Sequence, residues 1–128
     1  MTPRELITDH YLAAARGGDF ATAYSYFADD LRIRIPGRSE WAGERTGKQH
    51  AIDYIETARA RFAGRIELEV TDVLASDERV ILMVTERFHG DGPPLEIRRA
   101  NAYTVRGDRI VEIAVFEGDQ YTVDERLH

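Results

Sequence analysis

The sequence predicts an α+β fold, in which three N-terminal helices pack on one face of a curved, mixed and mostly antiparallel β-sheet. Apolar residues first recur every three to four positions, which is typical of amphipathic helices. From Ile66 onward they recur at every second position, which is typical of strands. Helices that mostly precede a run of antiparallel strands are the pattern of α+β proteins. The 128 residues are enough for one domain that spans 1–128.

Three segments have the helical period. The first helix is predicted from Thr2 to Arg16, and the second from Asp19 to Asp29-Asp30. The third is predicted from the capping box Thr46-Gly47-Lys48-Gln49 to Gly64. Glycine commonly ends a helix in a left-handed turn, and aspartate is a favoured helix N-cap. The apolar stripe of the second helix consists of Phe20, Ala23, Tyr24 and Phe27.

Alternating apolar residues predict the strands. Leu31, Ile33 and Ile35 are expected to form a short edge strand, which Pro36 ends because proline cannot donate to a sheet. Later strands are predicted at residues 66–70 and 80–84 and in the last hairpin. Turns are predicted at Asp77-Glu78, at residues 90–94 and at Gly107-Asp108. This succession predicts an antiparallel sheet in the second half of the chain.

The last hairpin predicts where a binding site lies. Its expected register places four pairs on the inner sheet face: Ala100 and Val115, Ala102 and Ile113, Thr104 and Val111, and Arg98 and Glu117. Alanine is uncommon in strands, so Ala100 and Ala102 are expected either to admit the third helix or to leave room for a ligand. The result would be an apolar hollow. A shift of one residue in register would move the whole set to the opposite face.

A charged row is expected at the rim of this hollow, with Glu86 across from Arg98 and Arg98 across from Glu117. An arginine between two carboxylates could hold a ligand carboxylate or position a catalytic glutamate. The same row could instead be an exposed ion-pair ladder, in which each pair typically contributes less than ~1 kcal/mol. The opposite face is expected to carry Met83, Thr85, Arg87, Arg99, Asn101, Tyr103 and Phe116. This mixture of polar and apolar side chains favours contact with a partner sheet.

The composition argues against several classes of function. A formal charge of −6 and a pI near 5.2 argue against a nucleic-acid partner, because phosphate binding requires a dense cationic surface. A chain without cysteine forms no disulfide, no thiolate zinc site and no cysteine nucleophile. The four histidines have no metal-ligand spacing, so no metal is expected. No segment approaches the ~20 apolar residues that cross a bilayer, so we expect a cytoplasmic protein without a membrane partner.

Four motifs carry a resemblance to a known family. They are Tyr-Leu-Ala-Ala-Ala-Arg-Gly-Gly-Asp-Phe at 11–20, Tyr-Phe-Ala-Asp-Asp at 26–30, Ala-Gly-Glu-Arg-Thr-Gly-Lys-Gln-His-Ala-Ile at 42–52 and Gly-Asp-Arg-Ile-Val-Glu-Ile at 107–113. Together with the order of helices and strands, they resemble the NTF2-like superfamily, and most closely its SnoaL-like polyketide cyclase and ketosteroid isomerase branch. The resemblance covers nearly the whole chain. It implies a cone-shaped fold, a pocket for a small apolar organic ligand and a homodimer formed through the outer sheet face.

The resemblance also implies chemistries that can be compared with the residues of this chain. Ketosteroid isomerases use a tyrosine on the first helix, which Tyr11 matches, but their base and their oxyanion-binding acid would fall at Ile35 and Ala100. Neither side chain can transfer a proton, so steroid isomerisation is not expected. Limonene-epoxide-hydrolase-like members need an arginine, which Arg98 could supply. They also need an acid two residues further along the strand, where this chain has Ala100.

The closest chemistry is that of the SnoaL-like cyclases, which use an aspartate near the end of the last strand as acid/base. That place falls beside Gly118, between Glu117 and Asp119. We therefore expect a small-molecule-binding protein that acts as a cofactor-independent cyclase or isomerase on an apolar organic substrate. Either Glu117 or Asp119 would be the acid/base, because an apolar hollow raises the pKa of a carboxyl group, and Arg98 would be the orienting group.

The expected pocket lining consists of Tyr11, Trp41, His50 and Glu86. Tyr11 and Trp41 are also compatible with a plain role in the core. An alternative function is that of a non-catalytic ligand-binding or dimeric assembly module on the same fold.

Overall fold

The computed structural model describes residues 1–63 and 65–127, and this part of the chain contains four helices and six strands. The first helix, α1, is α-helical over Pro3–Glu5 and Ala13–Arg16 and π-helical over Leu6–Leu12. The elements that follow are, in chain order, α2 (Phe20–Tyr24), β1 (Phe27–Ile35), β2 (Gly43–Thr46), α3 (Lys48–Arg61), β3 (Ile66–Ala75), β4 (Arg79–Phe88), β5 (Leu95–Arg106), β6 (Arg109–Glu117) and α4 (Gln120–Arg126). None of these helices is long and apolar enough to cross a membrane.

The strands form one curved sheet in the order β2-β1-β6-β5-β4-β3. Neighbouring strands are antiparallel except β1 and β6, which are parallel. The α+β class with N-terminal helices packed on a mixed sheet is therefore confirmed. The core consists of apolar side chains from the helices and from the inner sheet face, and its most completely buried members include Leu6, Ile7, Phe27, Leu31, Val80, Leu82 and Ile110.

The second helix is shorter than the sequence predicts. Asp19 caps α2 as expected, because its carboxylate accepts a hydrogen bond of 3.1 Å from the backbone N–H of Thr22. The helix ends at Tyr24, however, and the predicted closure at Asp29-Asp30 is wrong because those residues belong to β1. Phe27 has the spacing of a helical stripe, but it is the first residue of a strand and is buried there.

Two further predictions about element ends are wrong. The strand that contains Leu31 is not an edge strand, because β1 lies between β2 and β6. The predicted capping box is not formed: β2 continues through Thr46, and Gly47 at φ +105° turns the chain into α3 without a side-chain cap. Gly64, the predicted end of this helix, lies outside the described residues.

Two elements have no signal in the apolar pattern. The edge strand β2 is polar throughout and is held by backbone pairing with β1 and by an ion pair of 2.6 Å between Arg32 and Glu44. The C-terminal helix α4 starts at a second aspartate cap, where Asp119 accepts a hydrogen bond of 3.1 Å from the backbone N–H of Thr122. The pattern of apolar residues marks neither the pairing that holds β2 nor the polar cap that begins α4.

The register of the last hairpin decides which residues face inward. Gly107 and Asp108 both have φ +56°, so the predicted tight turn is confirmed. Beside the turn Val105 pairs with Ile110, but a bulge follows: Thr104 pairs with Glu112, and Val111, its predicted partner, has no partner on β5. An extra residue on one strand shifts every later pair by one residue, so the residues of β5 that were predicted to face inward now face outward.

Beyond this bulge Arg99, rather than Arg98, pairs with Glu117. The expected opposition of Arg98 to Glu117 is therefore wrong, as is that of Arg98 to Glu86, since Glu86 pairs with Ile97. The inner face of β5 presents Arg99, Asn101 and Tyr103, and these three residues had been expected on the outer face. Ala100 and Ala102 occupy the outer face instead, so they do not line the inner hollow that was expected from them.

Candidate functional site

The most unusual feature of the inner sheet face is a buried ion-pair cluster of Glu86, Arg99 and Glu117, termed the Arg99 cluster below. The guanidinium donates two parallel hydrogen bonds of 2.6 Å to Glu117, from Nε to Oε1 and from Nη2 to Oε2. Its Nη1 lies 3.5 Å from Oε1 of Glu86. The exposed fractions of the side chains are 15% for Glu86, 9% for Arg99 and 1% for Glu117. Three charged groups are thus almost withdrawn from water.

The sheet register brings these three side chains together. Arg99 on β5 pairs directly with Glu117 on β6 and with Val84 on β4. Glu86 is two residues beyond Val84 on the same face, so it is the diagonal neighbour of Arg99. Buried charges require partners, and two carboxylates share one guanidinium in this cluster. Glu117 takes both parallel N–H groups, and Glu86 keeps only the longer contact.

This unequal sharing affects the protonation of Glu86. Burial raises the pKa of the Glu86 carboxyl, and the nearby charge of Glu117 raises it further. Arg99 and the amide of Asn101 act in the opposite direction, but the net effect is a raised pKa. The raised pKa makes Glu86 the candidate acid/base of the Arg99 cluster.

Three tyrosines surround the Arg99 cluster from three elements, namely Tyr11 on α1, Tyr54 on α3 and Tyr103 on β5. Burial raises the pKa of Tyr11 and of Tyr54 to about 12, and the charge of Glu86 contributes to both shifts. The rings of Tyr11 and Tyr103 lie 5.6 Å apart. All three hydroxyl groups are therefore protonated at neutral pH, and each can donate a hydrogen bond to an oxygen atom of a bound molecule.

Two helices carry the first two of these tyrosines. The backbone of α3 approaches β1 and β2, and the first turn of α1 approaches β4. The ring of Tyr11 contacts that of Tyr103 on β5, and Tyr11 and Tyr54 both remain partly exposed. Tyr11 lies in the π-helical part of α1, and π-turns are frequent at functional sites.

Asn101 adds a polar group that the ion pairs do not use. It lies on the same face of β5 as Arg99, and its amide lowers the pKa of both Glu86 and Tyr103. Its Oδ1 is buried and accepts no hydrogen bond from any residue that the structure describes. Buried acceptors are nearly always satisfied in folded proteins, so this oxygen requires an explanation.

The structure brings together only some of the residues predicted from the sequence. Tyr11, Glu86 and Glu117 meet on the inner face. Arg98 does not, because it pairs with Thr85 and lies exposed on the outer face. The arginine beside the two glutamates is Arg99, which the predicted register had placed on the wrong side.

The other predicted residues lie apart from the Arg99 cluster. Asp119 is exposed on the surface as the cap of α4, and hydrogen bonds from Thr122 lower the pKa of its carboxyl group. His50 is exposed at the start of α3. Trp41 is buried in the core, where its ring lies 5.3 Å from that of Phe88. Trp41 thus packs as a core residue.

The corrected register also changes the comparison with the epoxide-hydrolase arrangement. The position two residues after the buried arginine is Asn101, rather than the Ala100 that the sequence reading assigned to it. An amide can position a ligand or a water molecule but cannot transfer a proton as a carboxylic acid does. That hydrolase arrangement is therefore incomplete at this site.

Two cavities in the described part of the chain lie away from the inner tyrosines. One is a groove of about 480 Å³ on the outer face, whose lining includes Met83, Ala100 and Phe116. The other, of about 230 Å³, lies between Phe88 and the end of α4. Tyr11, Tyr54 and Asn101 line neither of them. Over residues 1–63 and 65–127, no three histidine, aspartate or glutamate side chains converge to hold a metal ion.

Comparison with known proteins agrees with this architecture. Residues 8–113 match the SnoaL-like domain. This chain belongs to the SnoaL-like family. The uncharacterized protein Rv0034 of Mycobacterium tuberculosis is 30% identical to it over 116 residues, which are 90% of this SnoaL-like chain and 88% of Rv0034.

Solved structures show the same fold. Bal32a, from a soil-derived mobile gene cassette, superposes with a TM-score of 0.88 at 24% identity, over 98% of this chain and 95% of Bal32a. An NTF2-like protein of Burkholderia xenovorans superposes with a TM-score of 0.77 at 21% identity, over 100% of this chain and 99% of the other. The match over residues 8–113 confirms the predicted SnoaL-like family, and these two structures confirm its predicted NTF2-like fold.

Proposed function

We propose that this SnoaL-like protein binds a small, mostly apolar organic molecule between α1 and α3 and moves a proton on it through Glu86. The observation that carries the proposal is the incomplete pairing of Glu86: a buried carboxyl group with a raised pKa and a single ion-pair contact of 3.5 Å. Catalytic acids and bases commonly have such perturbed pKa values. The reaction is of the isomerase or cyclase type and requires no cofactor.

Each group of the site has a role in this proposal. The Glu86 carboxylate removes a proton from a carbon next to a carbonyl group, and the electron pair of the C–H bond moves onto the carbonyl oxygen. A tyrosine hydroxyl, from Tyr11 or Tyr54, donates a hydrogen bond to that oxygen. Glu86 then returns the proton to another carbon. Arg99, held by Glu117, provides the positive charge that keeps Glu86 in place between transfers.

This proposal departs from the residues expected from the sequence. Glu117 and Asp119 as acid/base and Arg98 as orienting group stay predictions that activity measurements can decide. Burial of both Glu117 oxygens against Arg99 favours a positioning role for Glu117, and the surface location of Asp119 favours a role as helix cap. The geometry supports Glu86 and Arg99 in place of the expected groups.

We also propose that two copies of the chain pair through their outer sheet faces, as the family resemblance implies. Phe116 is 61% exposed and Met83 is 39% exposed on this face. Arg87 lies between Glu96 at 3.1 Å and Glu69 at 3.6 Å, so both signs of charge border the apolar residues. An assembly role without catalysis is the second candidate function, and these exposed apolar groups are the observation that favours it.

We further propose that the protein is cytoplasmic, whichever of the two functions it has. The absence of cysteine is compatible with that location.

A model proton-transfer reaction tests the catalytic proposal without knowledge of the natural substrate. In 5-nitrobenzisoxazole, removal of the ring C–H proton by a base breaks the N–O bond and releases a coloured nitrophenolate. We expect the protein to accelerate this reaction, and Glu86→Gln to lower the rate by about 10²-fold or more, since a positioned base contributes about 10²–10⁴-fold. Glu78→Gln, in an exposed turn, is the matched control and should react as the parent does.

Two results decide against Glu86. A parent rate equal to that of Glu86→Gln would show that Glu86 takes no part in proton transfer. Loss of the rate in Asp119→Asn, with Glu86→Gln active, would instead establish the acid/base predicted from the sequence.

A further inference from the structure

We propose that the ligand of this site is an uncharged molecule that presents a hydrogen-bond donor, such as a hydroxyl group or an amide N–H, to Oδ1 of Asn101. This inference rests on the proposed function, in that it names the class of molecule bound there. It starts from the buried acceptor that no described residue satisfies. A buried polar atom without a partner destabilises the protein, so its retention favours a partner that arrives with the ligand.

The Asn101 amide lies beside the carboxyl group of Glu86 and the hydroxyl group of Tyr103, and it lowers the pKa of both groups. An N–H that faces an acidic group favours its charged form, so this effect agrees with the amide nitrogen facing these two groups. Rotation of the amide by half a turn would direct its oxygen at the Glu86 carboxylate, and two acceptors repel each other. The oxygen therefore points away from Glu86, and the molecule that completes its hydrogen bonding must carry a donor.

The charges of the site select against anions. Glu117 occupies two parallel N–H groups of Arg99 at 2.6 Å, and Glu86 is the neighbour of the third nitrogen. Arg45, the other arginine near the site, donates to the backbone carbonyl of Trp41 at 3.0 Å and lies 4.1 Å over the ring of Tyr54. A ligand carboxylate would thus meet two glutamates and cations that already have partners. A neutral donor avoids this repulsion.

The aromatic residues beside the site favour an apolar ligand. Tyr11 and Tyr103 pack against each other, with ring centroids 5.6 Å apart and ring planes inclined at 60°, so a ligand would contact these rings from outside the pair. Aromatic side chains pack well against flat apolar molecules in offset or edge-to-face arrangements. A flat molecule with one hydroxyl group would therefore pack against these rings and donate a hydrogen bond to Oδ1 of Asn101.

Three naphthalenes that differ in one substituent test the inference. 2-Naphthol carries a neutral donor, 2-methoxynaphthalene has the same ring without a donor, and 2-naphthoate carries an anion. By titration calorimetry near pH 6, we expect 2-naphthol to bind about tenfold more tightly than 2-methoxynaphthalene, and 2-naphthoate to bind most weakly. Asn101→Leu should remove the tenfold preference and raise the melting temperature, because it removes a buried acceptor that lacks a partner.

The outcomes separate this inference from the proposed function. Equal affinities of the parent protein for 2-naphthol and 2-methoxynaphthalene, or an unchanged preference in Asn101→Leu, would overturn the role of Asn101 and leave binding in place. Failure of all three naphthalenes to bind would overturn the inference, while turnover of 5-nitrobenzisoxazole would still support Glu86. A preserved preference for 2-naphthol without turnover would support the inference and count against catalysis. The comparison of the three ligands on the parent protein does not depend on the folding of any variant.

Discussion

Arg99 and Glu117 face each other across β5 and β6 and are joined by two hydrogen bonds of 2.6 Å. Bidentate pairs of this kind are strong and geometrically specific. Because Glu117 uses the parallel N–H groups, the second carboxylate, Glu86, is left with a contact of 3.5 Å. The chemical asymmetry between the two glutamates follows from this one pair.

Removal of the guanidinium should destabilise the fold strongly. In Arg99→Met the carboxylates of Glu86 and Glu117 stay buried without their cation, and breaking a buried ion pair in this way typically costs about 3–5 kcal/mol. Urea unfolding at neutral pH measures the change. Arg98→Met is the matched control on the exposed face of the same strand, where a substitution usually changes stability by less than about 0.5 kcal/mol. Equal losses in the two variants would contradict the assignment of Arg99 as the buried arginine.

The outer face provides a second prediction, which concerns assembly. If two copies pair through this face, Phe116→Asp places a charge in the contact and should convert a dimer into a monomer, because charged groups are depleted in the centres of interfaces. Sedimentation velocity over a series of concentrations distinguishes the two states. Tyr121→Asp, at an exposed aromatic residue on α4, is the control and should leave the assembly unchanged. A parent protein that is monomeric at all concentrations would rule out the pairing.

Local patterns predicted much of this fold. The alternation of apolar residues is retained in β4, where Val80, Leu82 and Val84 are buried. The turn at Gly107-Asp108 follows from residues that tolerate positive φ. The strand β2 and the helix α4 could not be predicted in this way, because β2 is stabilised by pairing with β1 and α4 by contacts such as that of Asp124 with the backbone N–H of Arg38, at 2.8 Å.

The candidate site was predicted only in part, for one identifiable reason. Glu86 and Glu117 lie on the expected face, but the bulge at Val111 exchanges the faces of β5, so Arg99 and Asn101 were missed. A bulge of one residue leaves no mark in the apolar period of β6. The period of β5 did contain a signal, because its odd-numbered positions carry the larger apolar residues Leu95, Ile97, Tyr103 and Val105 and its even-numbered positions carry alanines. Side-chain size was therefore the better guide to the buried face.

The raised pKa of Glu86 leads to a prediction about pH. A carboxyl group whose pKa is higher in the folded than in the unfolded protein binds more protons when folded. Its favourable contribution is complete below the unfolded-state pKa and is lost as the pH rises through the raised pKa of the folded state. Glu86→Gln removes this titration, so the free energy of unfolding of the variant should increase relative to the parent as the pH rises through that window. Urea unfolding at a series of pH values measures the difference, with Glu78→Gln as the exposed control. A difference that is constant over this range would show that the pKa of Glu86 is not raised in the folded protein.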